Sequence, residues 1–401
     1  MSIFASTFFT NFHLIIIDFL LIWCILSVLF YCYAIYAAIT FFADTRAIDL
    51  EFHPPVSILK PICGLDSDTY ENLASFCQQD YPEYQIIFAV QNSKDPCIEV
   101  VDKIIDHFSD LDILLIVSDR VIGTNLKVSN LANAAAKAKY EILLLADSDI
   151  RVGRDYLQRV IQPLQDKSVG VVTCMYRTLT QGWISTLEAI VNTEFHAGVL
   201  VSNIKENGIK YAFGSTIVIP KKVLEAIGGF EAIADYLADD FQLGYLPVQA
   251  GYKVVLSDYV VEHVQISNNL VDAIKRQIRW ARGKRVSRPW GYLGLIFTYG
   301  VVTSLLLLIA TDGSILGWLG LSICWITRLV MAWVVGTISL KDPIVKKFIW
   351  LVPCCDLLSF AIWCFGFIGN TIEWRGQQLK LTKDGKLLVQ EDRSYELSII
   401  N

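Results

Sequence analysis

Residues 142–149 read Ile142-Leu143-Leu144-Leu145-Ala146-Asp147-Ser148-Asp149, five apolar residues running straight into two acids. An apolar run this short, with no polar alternation, suits a strand buried on both faces. Upstream, runs of the same kind recur at residues 56–59, 85–90 and 113–117, and the intervals 67–79, 96–108 and 127–139 carry helical patterns. Strands separated by helix-length intervals predict βαβ units, and so an α/β fold on a parallel sheet. Ligands bind such sheets beyond the carboxyl ends of the strands. That singles out Lys60, Gln91-Asn92, Ser118-Asp119 and the acids that end the quoted run.

Two carboxylates at i and i+2 on a strand end project to the same side. They suit a hard divalent cation, Mg²⁺ or Mn²⁺, which takes oxygen ligands and bridges phosphates. The alternative is a turn whose aspartate caps the next helix. A second pair, Asp239-Asp240, precedes another helical pattern. Like charges that close raise one pKa, which fits one of them for work as a base; an Asp-rich helix start is the other reading. In Arg276-Gln277-Ile278-Arg279-Trp280 the guanidinium forks suit phosphate oxygens and the indole offers a flat apolar wall. The same run also fits a basic interfacial helix ahead of a membrane segment. Neither GxGxxG nor GxxxxGK[ST] occurs, so the sequence supports no dinucleotide fingerprint and no P-loop.

Composition places this domain on a membrane. Of 401 residues, 54% are hydrophobic and only 18% charged, against about 25% charged in soluble domains. Mean hydropathy is +0.45. Disorder is excluded, and an ordinary soluble enzyme is disfavoured. A net charge of −6 without a long basic run excludes nucleic acid as the leading partner. The ten cysteines form no CxxC pair and read as reduced thiols.

Residues 19–43 carry no charge and predict a retained N-terminal anchor. Three more apolar stretches follow at 290–311, 313–340 (charged only at Arg328) and 348–372 (charged only at Asp356). The cluster from Lys275 to Arg288 ahead of them is expected on the cytoplasmic side, by the positive-inside rule. Three C-terminal spans would then put Lys380, Lys383 and Lys386 on the opposite side, so one stretch is expected to be interfacial, and 290–311 with its three glycines is the candidate. Arg328 and Asp356 are either a structural ion pair between helices or a polar lining for a lipid headgroup. The expected organisation is an anchor at 1–51, a cytoplasmic domain at 52–289, membrane segments at 290–372 and a polar tail at 373–401.

Taken in order, these pieces resemble the ceramide glucosyltransferase family, glycosyltransferase family 21 with a GT-A fold. The resemblance starts at Val56-Ser57-Ile58-Leu59-Lys60-Pro61 and runs through Glu71-Asn72-Leu73, Asp80-Tyr81-Pro82, Val90-Gln91-Asn92 and Gly123-Thr124-Asn125-Leu126-Lys127. It ends with Asp147-Ser148-Asp149, Gly228-Gly229, Asp239-Asp240 and Arg276-x-x-Arg279-Trp280. It implies a mixed, mostly parallel sheet and inverting transfer of glucose from UDP-glucose to a lipid hydroxyl such as that of ceramide. By the same resemblance Asp147 and Asp149 form the metal site, with His263 as a further ligand to the metal or the diphosphate. Asp240 is the base, His196 the family's active-site histidine, and Arg276, Arg279 and Trp280 the pyrophosphate motif. Lys60, Asn92, Asp95 and Lys127 are expected to contact the donor. Asn92 stands where the family carries aspartate; its amide oxygen can still accept a hydrogen bond from uracil, and Asp95 is an alternative. Asp149 stands where animal members carry glycine, which makes this chain more similar to the bacterial members.

The expected setting is a bacterial inner membrane or the cytosolic face of an endomembrane such as the Golgi. Rival readings are a hopanoid or glycerolipid acceptor, a processive polysaccharide synthase, and a non-catalytic nucleotide-sugar-binding scaffold or transporter. The synthases usually carry Gln at the position of Arg276.

Overall fold

A computed structural model describes residues 2–43, 48–180, 182–206, 208–266, 269–374 and 377–389. The end of the expected tail, 390–401, lies outside the described residues. The chain opens with α1 (Ser2–Ala43), then β1 (Val56–Pro61), α2 (Thr69–Phe76), β2 (Tyr84–Val90), α3 (Cys97–His107) and β3 (Asp112–Val117). Next come α4 (Leu126–Ala135), β4 (Ile142–Leu145), β5 (Ile150–Arg151), α5 (Tyr156–Ile161), β6 (Val169–Thr180) and α6 (Trp183–Lys205). The domain closes with β7 (Ile217–Pro220), α7 (Lys221–Ala226), α8 (Asp239–Gln249), β8 (Lys253–Gln265) and α9 (Leu270–Ser287). Further helices follow: α10 (Pro289–Gly294), α11 (Gly300–Ala310), α12 (Ile315–Ala332), α13 (Pro343–Phe348) and α14 (Val352–Gly366). Last come β9 (Thr371–Trp374), β10 (Gln377–Leu381) and β11 (Leu387–Val389).

The four apolar runs are β1 to β4, all parallel, and the eight-stranded sheet has the order β3-β2-β1-β4-β7-β6-β8-β5. β7 runs antiparallel to β4 and β6, and β8 runs parallel to β6, so the sheet is mixed. Alternation along β1 sorts its side chains: Ile58 joins the core on one face and Leu59 the core on the other. The Leu59 core continues through Ala197 and Leu200 of α6 to Tyr31, Ala34, Ala37 and Ala38 of α1 and Met331 of α12. Sheet and membrane helices therefore share one apolar interior, and the domain is fixed to the membrane segments rather than tethered.

Among the described residues, three helical stretches are long and apolar enough to cross a membrane: Asn11–Ala43, Ile315–Ser339 and Pro343–Gly366. The stretch at 290–311 is broken, with Pro289–Thr298 and Gly300–Ala310 bent by 54°. A break exposes backbone groups that lipid cannot satisfy. Here the buried Tyr31 hydroxyl serves both sides, donating to the Thr298 carbonyl at 2.7 Å and accepting from the Gly300 amide at 2.9 Å. A Cβ at Gly300 would lie 2.8 Å from Ser27 Cβ, so only glycine lets α11 approach α1 there.

Arg328 and Asp356, 1% and 2% exposed, join α12 to α14 through two bonds, Nε to Oδ2 at 2.8 Å and Nη2 to Oδ1 at 2.7 Å. Arg328 also reaches Thr193 Oγ1 of α6 at 3.5 Å. Of the two readings of these charges, this contact set is that of an interhelical ion pair. Past the helices, β9–β11 form an antiparallel sheet that returns to the α/β domain. Leu387 donates to the Asp235 carbonyl at 2.7 Å and Leu237 to the Gly385 carbonyl at 3.1 Å.

Candidate active site

The acids that end β4 sit on a buried lysine. Lys60, at the carboxyl end of β1, is fully buried, with Nζ 3.8 Å from the Phe76 ring centroid. It donates to the Asp147 carbonyl at 2.5 Å. Burial pulls its ammonium down to about 7, against the opposing pull of Asp147, Asp149 and Asp66. Ser148 Oγ bonds Asp66 at 2.5 Å, so the turn is held from two sides.

α4 brings a second lysine. Asn125 caps this helix, accepting from the amides of Lys127 and Val128, while its Nδ2 donates to Asp239 Oδ1 at 3.3 Å. Lys127 Nζ then lies 2.6 Å from Asp147 Oδ1 and 3.2 Å from Asp239 Oδ2. Burial would lower its pKa, but Asp147, Asp239 and Asp240 outweigh that and hold the ammonium above its ordinary value. Burial raises Asp147 above the usual carboxylate range despite Lys127.

Gly214 joins the two acidic motifs. Its carbonyl accepts from the Asp147 amide at 3.1 Å, and its amide donates to Asp240 Oδ2 at 3.2 Å. A Cβ there would meet Asp147 Oδ2 at 2.5 Å. Burial and the neighbouring Asp239 raise Asp240 to about 6. That is a carboxylate poised to take a proton near neutrality.

On the other side of the turn, His263 Nε2 stands 3.1 Å from Asp149 Oδ2. Burial would raise Asp149, but His263 outweighs it and holds the carboxyl below its usual range; Asp149 in turn overcomes burial and raises His263. Tyr176 packs edge-on against His263 at 5.2 Å and against His196 at 4.7 Å. His196 is buried, and neither of its ring nitrogens meets a hydrogen-bond partner among the described residues. Burial and nearby Lys284 lower its pKa to about 3, so it is a neutral imidazole.

α9 carries the arginine motif past this cluster. Arg276 Nη2 contacts both oxygens of the buried Glu188 at 2.8 and 2.7 Å, and Gln265 and Gln277 donate to the same carboxylate. The Arg279 guanidinium lies 5.2 Å from the Trp374 ring, and Trp280 is half-buried. Asn92 is exposed, its Oδ1 accepting from the Lys94 amide. The Asp95 carboxylate accepts from the amides of Gly64 and Cys97. It fastens the loop after β1 to the start of α3.

The fold thus gathers Lys60, Lys127, Asp147, Asp149, Asp240 and His263 around one strand end, with Arg276 alongside and His196 one ring further in. Gly214, Asp239, Asn125 and Glu188 were not singled out as site residues. Asp239 was legible as half of an acidic pair and Asn125 stands inside the stretch 123–127; Gly214 and Glu188 have no signal in that reading beyond their residue type. Among the described residues no three His, Cys, Asp or Glu side chains are grouped to hold a metal ion. Asp147 and Asp149 nonetheless keep 36% and 34% of their side chains open. Two carboxylates plus the oxygens of a nucleotide diphosphate are an ordinary environment for Mg²⁺. The residues present fit a hard cation shared with a bound nucleotide, not one closed in by protein alone.

Known proteins match this chain along most of its length. The profile of "Glycosyl transferase family 21" matches residues 19–387. Ceramide glucosyltransferase 1 of Caenorhabditis elegans is 26% identical over 353 residues, covering 83% of this chain and 73% of the relative. Ceramide glucosyltransferase 3 of the same species is 25% identical over 349 residues, covering 84% and 74%. Among solved structures, a mannosyltransferase from Pyrobaculum calidifontis in complex with GDP-Man and Mn²⁺ superposes with a TM-score of 0.53 at 17% identity. It covers 86% of this chain and 96% of that one, a likeness of fold.

Proposed function

The chain belongs to glycosyl transferase family 21, and from that membership we infer that it is an integral-membrane glycosyltransferase moving one glucose from UDP-glucose to a lipid hydroxyl of the ceramide kind. The observation that carries the reading is the link through Gly214, which sets the acid at the strand end and the acid raised to about 6 on either side of one residue. A donor held at the first puts its anomeric carbon within reach of an acceptor activated by the second.

On this reading Arg276, Arg279 and Trp280 hold the pyrophosphate, Arg276 being pre-set by Glu188. Asn92 offers its amide oxygen to the uracil ring, while Asp95 shapes the neighbouring loop. Asp147 and Asp149 would hold the divalent cation, with His263 orienting Asp149 through their bond. When bound, the cation neutralises charge on the departing diphosphate. Lys60 fixes the turn from beneath, and Lys127 spans the two acidic motifs.

Asp240 takes the proton of the lipid hydroxyl as its oxygen attacks the anomeric carbon. The carbon–oxygen bond to UDP breaks on the opposite face, so configuration inverts, and the two arginines receive the charge that develops on UDP. Neutral His196 backs the site through Tyr176, whose ring packs on both His196 and His263. The basic residues of α9 support a cytoplasmic side for the domain, by the positive-inside rule.

The test is transfer of radiolabelled glucose by the purified full chain in lipid, with Mn²⁺ or Mg²⁺ and with ceramide, diacylglycerol and a hopanoid alcohol offered separately. A one-sugar product in the lipid phase with one acceptor, lost on chelation, is expected. A polymer would turn the reading to a processive synthase. UDP-glucose binding without any lipid product would overturn it.

A further inference from the structure

The segment Pro343–Gly366 has the length and apolarity of a crossing helix. A straight helix of that length reaches about 36 Å, against a hydrocarbon core of about 30 Å. Yet both of its ends are fastened to the catalytic domain. At the start, Asp342 Oδ2 accepts from the Thr178 amide at 3.4 Å, and the Lys341 carbonyl accepts from Arg177 Nη1 at 3.5 Å. Thr178 belongs to β6 and lies in register with His263 of the active site. At the far end, Arg282 of α9 donates to the Ile368 carbonyl at 2.7 Å and to the Thr371 carbonyl. Arg285 of the same helix reaches Asn370 Oδ1 at 2.6 Å. Beyond that point β11 bonds Asp235 of the domain.

The path between these ends is not one regular α-helix. α13 stops at Phe348, a 3₁₀ turn covers Ile349–Leu351, and α14 resumes at Val352. Near the midpoint, Asp356 pairs with Arg328. Arg328 lies on α12 about 20 Å from Lys341 by helix rise. The segment therefore meets α12 at the level of Arg328, and its far end is tied to α9. Its inner face is packed on protein: Val352 and Cys355 meet Ile190 of α6, and Ile362 and Trp363 meet Ala281 of α9 and Tyr292. Its outer face presents Trp350, Leu357 and Phe365 uncovered, the same kind of surface that α12 presents with Ile323, Ile326 and Val330.

We propose that Pro343–Gly366 is a re-entrant arm, entering and leaving the membrane on the catalytic side with its outer face in the acyl region of that leaflet. Crossing then falls to α1, to the broken pair α10–α11 and to α12. Three crossings put the catalytic domain and the β9–β11 sheet on one side, as their contacts require, and the turn carrying Asp312 on the other. The charge parity is resolved in the same way, since the basic residues of α9 and of β10 then share a side. Because α14 packs on α6 beside Glu188, the arm is also the lipid-facing support of the arginine motif. The proposal rests on the membrane reading alone and stands or falls independently of the reaction.

The test uses the full chain in sealed vesicles, with its own cysteines replaced and single cysteines introduced by K103C, D312C, K346C or K383C. A membrane-impermeant maleimide is added before or after permeabilisation. K346C and K383C are expected to label from the same side as K103C in the domain, and D312C only from the opposite side. Labelling of K346C and K383C from opposite sides would overturn the arm. The unsubstituted chain gives an independent check by trypsin added on the domain side: cleavage at both Lys346–Lys347 and Lys383 is expected. Cleavage at one, with the other cut only after permeabilisation, would overturn it.

Discussion

Lys127 Nζ lies 2.6 Å from Asp147 Oδ1, so the chain supplies its own cation to the carboxylate at the end of β4. The same ammonium lies 3.2 Å from Asp239. Lys127→Met leaves three neighbouring carboxylates without that charge. We expect turnover to fall roughly 10²- to 10³-fold, the scale of losing one electrostatic contact in an active site, and the melting temperature to drop by several degrees. Lys127→Arg should recover part of both. Wild-type kinetics for Lys127→Met at saturating metal would sink the idea.

Asp240 acts as a base only when ionised. Its pKa is raised to about 6, so turnover should be complete above that pH and fall about tenfold per unit below it. Asp240→Asn should leave UDP-glucose binding unchanged while lowering turnover by roughly two to four orders of magnitude. Calorimetry and a kcat–pH profile check both; equal loss of binding and turnover would remove Asp240 from this role.

Gly214 has no room for a methyl group, with Asp147 Oδ2 at 2.5 Å and Lys127 Nζ at 3.1 Å from the Cβ position. Gly214→Ala should therefore separate the two acidic motifs and reduce turnover strongly while the protein stays folded. A variant with normal kcat would show that their spacing is not critical.

The pair Arg328–Asp356 is buried, so removing one partner strands a charge. Asp356→Ala should cost about 3–5 kcal/mol, whereas the double change Arg328→Met with Asp356→Leu should be close to neutral. Thermal unfolding of both in lipid decides this; equal destabilisation by the two would argue against a purely structural pair.

The strands β1–β4 and the acids after β4 were legible because a buried parallel sheet writes itself as uninterrupted apolar runs. The Asp239-Asp240 pair was legible from its local spacing. Lys127 was named as a donor contact, but its bridge between Asp147 and Asp239 depends on how α4 packs, which no local pattern encodes. For Asp95, a role that local spacing does not encode appears in the fold: its carboxylate accepts from the amides of Gly64 and Cys97. Hydropathy marks the apolar stretch at 348–372 as a candidate crossing and carries no information on where its two ends are tied. Arg177 and Arg282, which tie them, are distant in sequence.

The β9–β11 sheet is translated after every membrane helix, yet it bonds residues 235–237, just ahead of Asp239-Asp240. A ribosome that stops short of Leu387 releases a chain in which residues 235–237 lack the partners this sheet supplies, while Asp239 and Asp240 keep Asn125, Lys127 and Gly214. The final buttress of the acidic segment is thus made only after the last apolar helix has left the ribosome.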